Sequence, residues 1–438
     1  MIFESHHKHL LPLFLTLLIA YFYTIPSYGQ GLFDFERKPI DYHNRPADNL
    51  VTALQNQLDR NTAHLDFNRA QGYLPSLLEK LRISSTTQAL VYSKSSLQLR
   101  RITPTQPRAL YFNDQIYLGW VPGGDFIEII AADATLGSVF YTLRQQDSPK
   151  PQFVRDKGQC LQCHAARRTK NVPGPVIRSL FTAASGQPVF NFGTYVSDHT
   201  SPFSHRWGGY YVTGTHGAMR HMGNILVDDT QPRNAVDLNA GSNITDLQKF
   251  FDSRPYLTNH SDLVALMVLE HQTQMQNLIT LARYEELRGT TYDASMNLAL
   301  ERDKEFRSEF TERRIQRASE ALVRYMLFAN EFSLTNPVKG TTDFTRQFSA
   351  RGPHDKRGRS LYQLDLQTRL FKYPLSYMIY SPGFLQLPPL TAKKISHRLH
   401  QILTTDFTDA ELQHLTPEIK IALLDILKST HPQLTKHW

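Results

Sequence analysis

The chain has 438 residues, 41% of them hydrophobic, with 48 Lys and Arg against 40 Asp and Glu, a formal charge of +8 and a pI near 9.3. A balance of that sign points to anionic partners, but the cations are scattered and form no long basic run, which disfavours nucleic acid. There is chain enough for one large domain or two ordinary ones, and neither an internal repeat nor a low-complexity tract is found.

The N-terminus reads as an export signal. Lys8 and three histidines precede an apolar run over residues 10–25, and Ser27-Tyr28-Gly29 places small residues where a signal peptidase reads, so cleavage is expected after Gly29. The run is shorter than the roughly 20 residues of a spanning helix and is interrupted by Pro12, which argues against a retained anchor. The mature protein is expected to be periplasmic or secreted, without a stable membrane span.

Residues 47–83 carry leucine stripes at helical spacing, Leu50, Leu54 and Leu58, then Leu74, Leu77, Leu78 and Leu81. Four runs rich in aromatic and β-branched residues follow, at 108–112, 115–121, 126–130 and 138–143. Asn113-Asp114, Pro122 to Asp125 and Asp133 to Gly137 separate them, which predicts an antiparallel meander. Further strands are expected at Pro188 to Tyr195 and Gly209 to Thr213.

Directly after the meander, Cys160-Leu161-Gln162-Cys163-His164 contains the chain's only two cysteines. This is the spacing at which two thiols can each form a thioether with a haem vinyl group while the adjacent imidazole binds iron. A zinc site would need two more ligands, and no second such pair exists. The motif therefore predicts one covalent haem c, with Cys160, Cys163 and His164 as its attachments. Arg167 and Arg178, in a basic stretch with Arg168 and Lys170, are candidates to pair with the haem propionates. A proximal histidine also needs its other ring nitrogen held, and Pro173-Gly174-Pro175 is a stiff segment close enough to offer a carbonyl.

The segment Trp207 to Asn224 supplies candidates for the far side of the iron, namely Met222, Met219 and, on a later helix, His271. Met opposite His suits reversible one-electron traffic, whereas an open position suits small-molecule chemistry. In the open case His216, Arg220, His221 and Tyr211 would donate protons or stabilise a bound anion. His199 and His205 read as surface or capping residues.

A polar connector at 228–243 leads into a helical half, which sets one boundary near residues 235–255. Ser261 or Asn259 is expected to cap a helix ending at Gly289, and Ile315, Ala318, Leu322, Met326 and Ala329 mark a second. Thr391 opens a third helix, and Thr416-Pro417 caps a fourth. The fold class expected is α+β. An antiparallel β-rich part over 30–235 carries the haem motif, and a helical region follows over 250–438.

The Cys160 to His164 motif resembles that of c-type cytochromes. Beyond it, Tyr111 to Asp114, Phe140 to Leu143, Arg206 to Gly217, Arg220 to Asn224 and Phe371 to Pro374 resemble large uncharacterised single-haem cytochrome c domain proteins of environmental bacteria. That resemblance implies haem binding, electron transfer and export, and brings no substrate with it. The separation of Met222 from His164 is similar to the proximal-to-distal spacing of small soluble c-type cytochromes, which ranks Met222 first as sixth ligand. The β-rich sequence before Cys160 departs from their all-helical fold. Two functions follow as expectations: single-electron transfer to an acidic redox partner protein, or a haem enzyme acting on a peroxide or on a nitrogen or sulfur oxide.

Overall fold

Short polar turns set the register of the N-terminal strands. Asn113 Oδ1 accepts the backbone N–H groups of Gln115 and Ile116 at 3.0 and 2.9 Å, and Asp133 Oδ1 accepts those of Thr135 and Leu136, both at 2.9 Å. Gly123 and Gly137, at φ +61° and +78°, supply the left-handed conformation that such turns require. The computed structural model describes residues 33–230, 232–405, 409–436 and 438; the signal segment expected at 1–29 lies outside them.

In chain order the first ten strands are β1 (Ala89–Val91), β2 (Arg108–Phe112), β3 (Ile116–Trp120), β4 (Phe126–Asp133), β5 (Gly137–Arg144), β6 (Phe153–Arg155), β7 (Arg178–Leu180), β8 (Thr182–Ala183), β9 (Thr194–Val196) and β10 (Tyr210–Tyr211). Seven of them form one antiparallel sheet in the order β10-β1-β2-β3-β4-β5-β6, and β7 pairs antiparallel with β9 outside it. The strand expected over Pro188 to Tyr195 is instead a 3-10 turn at Phe190–Phe192 followed by β9.

Alternation along β4 gives the sheet its two faces. Ile127, Ile129 and Ala131 pack with Leu118, Val139 and Leu143 against helices α1 (Leu50–Asp59) and α2 (Leu74–Lys80). Residues 47–83 thus contain two short helices, one on each leucine stripe, with the intervening segment extended or turning. The opposite face, which carries Arg108, Glu128, Phe140 and Tyr117, looks towards the motif and the helical half.

That half is built on α4 (Leu263–Ala299), 37 residues and roughly 55 Å long at 1.5 Å per residue. Its first turns are apolar on every side because they run through the centre of the protein. Further along, its buried amides reach the sheet. Gln272 Nε2 donates to the Asn113 carbonyl at 2.8 Å, and Gln276 accepts from Tyr117 Oη at 2.8 Å and donates to Ser138 Oγ at 2.9 Å. Helices α5 (Glu309–Met326), α6 (Phe344–Ser349), α7 (Pro389–Thr404) and α8 (Pro417–Thr430) pack around it, and one apolar cluster joins them to Ala89, Val91, Phe112 and Tyr117 of the sheet. The chain is therefore α+β, β-rich first and helical afterwards. Among the described residues no helix is long and apolar enough to cross a membrane.

Candidate functional site

The motif turn grows directly from the sheet. Beyond β6, Asp156 N–H donates to the Phe140 carbonyl at 2.8 Å, and the Asp156 carboxylate accepts the N–H groups of Gly158 and Cys160 at 2.9 and 3.0 Å. These bonds start the single helical turn α3 (Leu161–His164), in which Leu161 is buried while Cys160 is half-buried and Cys163 exposed. Both thiols are free. Burial first, and the Asp156 carboxylate second, push the Cys160 thiol up to about 12, so it is held protonated.

His164 is gripped from two directions. Its backbone carbonyl accepts Gly174 N–H at 2.8 Å, and its Nδ1 lies 2.9 Å from the Gly174 carbonyl. A carbonyl only accepts, so Nδ1 carries the proton and Nε2 keeps its lone pair. Nε2 makes no hydrogen bond among the described residues. The ring centroid sits 5.2 Å from that of Phe140. Burial lowers the imidazole's proton affinity, with Arg108 adding to the effect and the Gly174 bond opposing it.

The carbonyl expected from Pro173 to Pro175 is thus that of Gly174, and the segment is fixed at three points. Pro173 O accepts Ser138 N–H from β5 at 3.1 Å, Gly174 holds His164, and Pro175 O accepts the Asn277 side-chain amide from α4 at 2.9 Å. A Cβ on Gly174 would lie 1.8 Å from Asn277 Oδ1, so only glycine lets the helix approach this closely.

Beside the motif, Arg108 Nη1 and Glu128 Oε2 form an ion pair of 2.8 Å over Gly119, whose missing side chain leaves the room. Arg108 Nε is buried and has no hydrogen-bond partner. Arg178 Nε donates to Thr194 Oγ1 at 2.8 Å, with Arg168 and Cys163 both within electrostatic reach of its guanidinium. Arg167 is exposed at the start of a separate 3-10 turn, Arg167–Thr169.

These groups suit a c-type haem. Two free thiols on one turn match the vinyl attachments, an imidazole with a free, oriented Nε2 matches an iron ligand, and an orphaned buried guanidinium nitrogen matches a carboxylate such as a propionate. No group of three or more His, Cys, Asp or Glu side chains able to hold a metal ion occurs among the described residues.

The other candidates lie elsewhere. Met222 is buried with Phe181, Val189, Phe192, Ile225 and Val227, and its sulfur accepts from Ser179 Oγ at 3.6 Å. Ser179, which holds that sulfur, follows Arg178 on β7, so alternation along the strand puts Met222 on the side opposite Arg178. Met219 is buried in the central apolar cluster. His271 has both nitrogens engaged, Nδ1 with His199 Nδ1 at 2.9 Å and Nε2 with Ser376 Oγ at 2.7 Å, which leaves no lone pair for iron. His199, expected as a surface or capping residue, is 2% exposed.

Of the four groups named for an open distal pocket, His216, His221 and Arg220 lie together and Tyr211 stands apart. His216 and His221 are buried with centroids 4.8 Å apart against Phe203 and Trp207, and burial holds His221 down to about 3. Tyr211 lies in the other core beside Phe251 and donates to the Pro104 carbonyl at 2.7 Å. Arg220 is bound to Asn239 towards solvent. Next to the histidines, the buried pair Arg206–Glu270 spans 3.3 Å, and burial raises the Glu270 carboxyl to about 8.

Sequence reasoning missed Asp156, Arg108, Glu128, Phe140 and Asn277. Asp156, four residues before Cys160, carried a local capping signal; the others come together only through the sheet and α4. No protein-family model, curated protein or solved structure matches this chain.

Proposed function

We propose that the chain is an exported c-type cytochrome that would hold one haem through Cys160 and Cys163, with His164 as a ligand to its iron, and would pass single electrons to a partner protein. One observation carries this reading: the Gly174 carbonyl fixes the proton of His164 on Nδ1 and leaves Nε2 free, beside two unpaired thiols on the same turn. A haem bound there supplies a centre that changes oxidation state by one electron.

The chain's own residues do the positioning. Gly174 orients the imidazole, Asp156 orders the turn that presents both sulfurs, and Phe140 packs against the ring. Arg108 and Arg178 would offer their guanidinium groups to the propionate carboxylates. Electron transfer is favoured over small-molecule catalysis because Tyr211 is committed to the Pro104 carbonyl in one core, while His216 and His221 are buried against Phe203 and Trp207 in another.

The test compares two activities of the purified haem-loaded protein. Fast one-electron exchange with small inorganic redox reagents is expected, while peroxide, nitrite and sulfite are turned over no faster than by free haem. Turnover of any of the three well above that level would overturn the carrier reading in favour of the enzyme.

A further inference from the structure

The β-rich and helical halves leave a cleft of about 650 Å³ between α1, the end of α2, the β2–β3 turn and α6. Small-molecule sites run to roughly 300–1,000 Å³ and favour junctions between structural units. Two ties across the rim hold the walls in place. Gln347 Oε1 on α6 accepts from Ser84 Oγ at 2.8 Å and from Thr86 Oγ1 at 3.3 Å, and Arg351, just past α6, pairs with Asp114 of the β2–β3 turn at 2.6 Å. The floor is aromatic, with Phe344 between Phe112 and Phe348 at ring-centroid distances of 6.2 and 5.4 Å.

The charges on the walls do not balance. Asp114 is the one acidic side chain among the described residues that line the cleft, and its Oδ2 is already taken by Arg351 and by the Tyr362 hydroxyl at 2.8 Å. Lys80 meets only its neighbour Glu79, at 3.7 Å and largely in solvent, and Arg82 makes no side-chain hydrogen bond or ion pair among the described residues. Arg82 also stands at φ +54° in the turn that ends α2. Its N–H donates to the Glu79 carbonyl at 3.0 Å, and the Ile83 N–H donates to that of Leu78 at 2.8 Å. Such a position favours glycine or asparagine, so the turn itself does not call for a long cation.

We infer that this cleft binds a small aromatic carboxylate, its ring on the phenylalanine floor and its carboxylate on Arg82 and Lys80. A guanidinium fork matches a carboxylate in two hydrogen bonds. Phenyl rings take an aromatic body edge-on or offset-stacked, and a cationic ligand would meet charge of its own sign. The inference goes beyond the electron-transfer reading and does not depend on haem.

The test titrates 2-naphthoate into the purified mature chain by calorimetry, with 2-naphthylmethanol as its uncharged counterpart. One saturable site is expected, with the alcohol binding at least tenfold more weakly. Arg82→Asn, which suits the left-handed turn, should melt no lower than the parent and yet weaken naphthoate binding at least tenfold. Ala53→Trp, at an exposed position of α1 on the cleft wall, should abolish binding by filling the space. Arg313→Asn, exposed on α5 and outside the lining, should leave the affinity within about threefold. The inference is overturned by the absence of saturable binding below about 1 mM, by equal affinity for the alcohol, or by naphthoate binding that survives Ala53→Trp. It is overturned equally by an unchanged affinity in Arg82→Asn, or by a loss in Arg313→Asn as large as in Arg82→Asn, which would reduce the effect to net charge.

Discussion

Asn277, midway along α4, donates its side-chain amide to the Pro175 carbonyl at 2.9 Å, one residue beyond the carbonyl that holds His164. The helical half therefore sets the orientation of the candidate iron ligand, although no residue of that half touches the imidazole itself in a hydrogen bond. Asn277→Ala removes one buried hydrogen bond and should cost about 1–2 kcal/mol in denaturant unfolding. Gly174→Ala should cost more, about 1–3 kcal/mol, because its Cβ drives into Asn277. A Gly174→Ala protein as stable as the parent would mean that the three-point fixing of this segment is not needed.

Met222 fills a small core with its sulfur turned to Ser179. Met222→Ala should lower stability by about 2–4 kcal/mol through the cavity it leaves, while the visible spectrum of the haem-loaded protein stays unchanged. Loss of a Met-to-iron charge-transfer band in that variant would return Met222 to the iron.

Stability should peak near pH 6.5. The Glu270 carboxyl is raised by burial from 4.5 to about 8, so the folded state holds a proton that the unfolded chain has released, and stability falls as pH rises through that window. On the acid side, His199, His271 and His221 are held neutral by burial, the last down to about 3, so below 6.5 the unfolded chain gains protons that the folded one refuses. Melting temperatures across pH 4–9 should show this dome. Glu270→Gln should flatten the alkaline limb only; an unchanged alkaline limb would refute the assignment to Glu270.

Asp262 caps α4 with one carboxylate oxygen on the N–H groups of Val264 and Ala265, while the other accepts from Thr341 N, Thr342 N and Thr342 Oγ1. A cap alone is worth about 1 kcal/mol, and the stranded donors of the Thr341–Thr342 turn add more. Asp262→Ala should therefore lose about 3 kcal/mol or more by denaturant titration, with a loss under 1 kcal/mol contradicting the dual role.

Local chemistry was legible where it was sufficient. The turns at Asn113, Gly123 and Asp133 place β2 to β5 almost residue for residue, and Thr416-Pro417 opens α8 as its sequence says. Errors arose where distant partners decided. Ser261 does not cap α4, because its hydroxyl is spent on Leu90 N–H and the Tyr211 carbonyl, so the cap falls to Asp262. Gly289 does not end that helix; it makes room for α5, whose Thr311 methyl would lie 2.7 Å from an added Cβ. The helix expected to open at Thr391 starts at Pro389, its first N–H groups taken by Glu286 of α4. His199 looks like a loop histidine in sequence, and only the return of α4 and α5 buries it. At the site, the motif residues and the carbonyl segment were readable from spacing, whereas Arg108 and Glu128 depend on strand register.

The most direct measurement is the mass of the denatured mature polypeptide, expressed with a competent haem-maturation system. One covalently added haem is expected, together with its complete loss in Cys160→Ala/Cys163→Ala protein. A polypeptide of unmodified mass from cells that load other c-type proteins would contradict haem attachment at this motif.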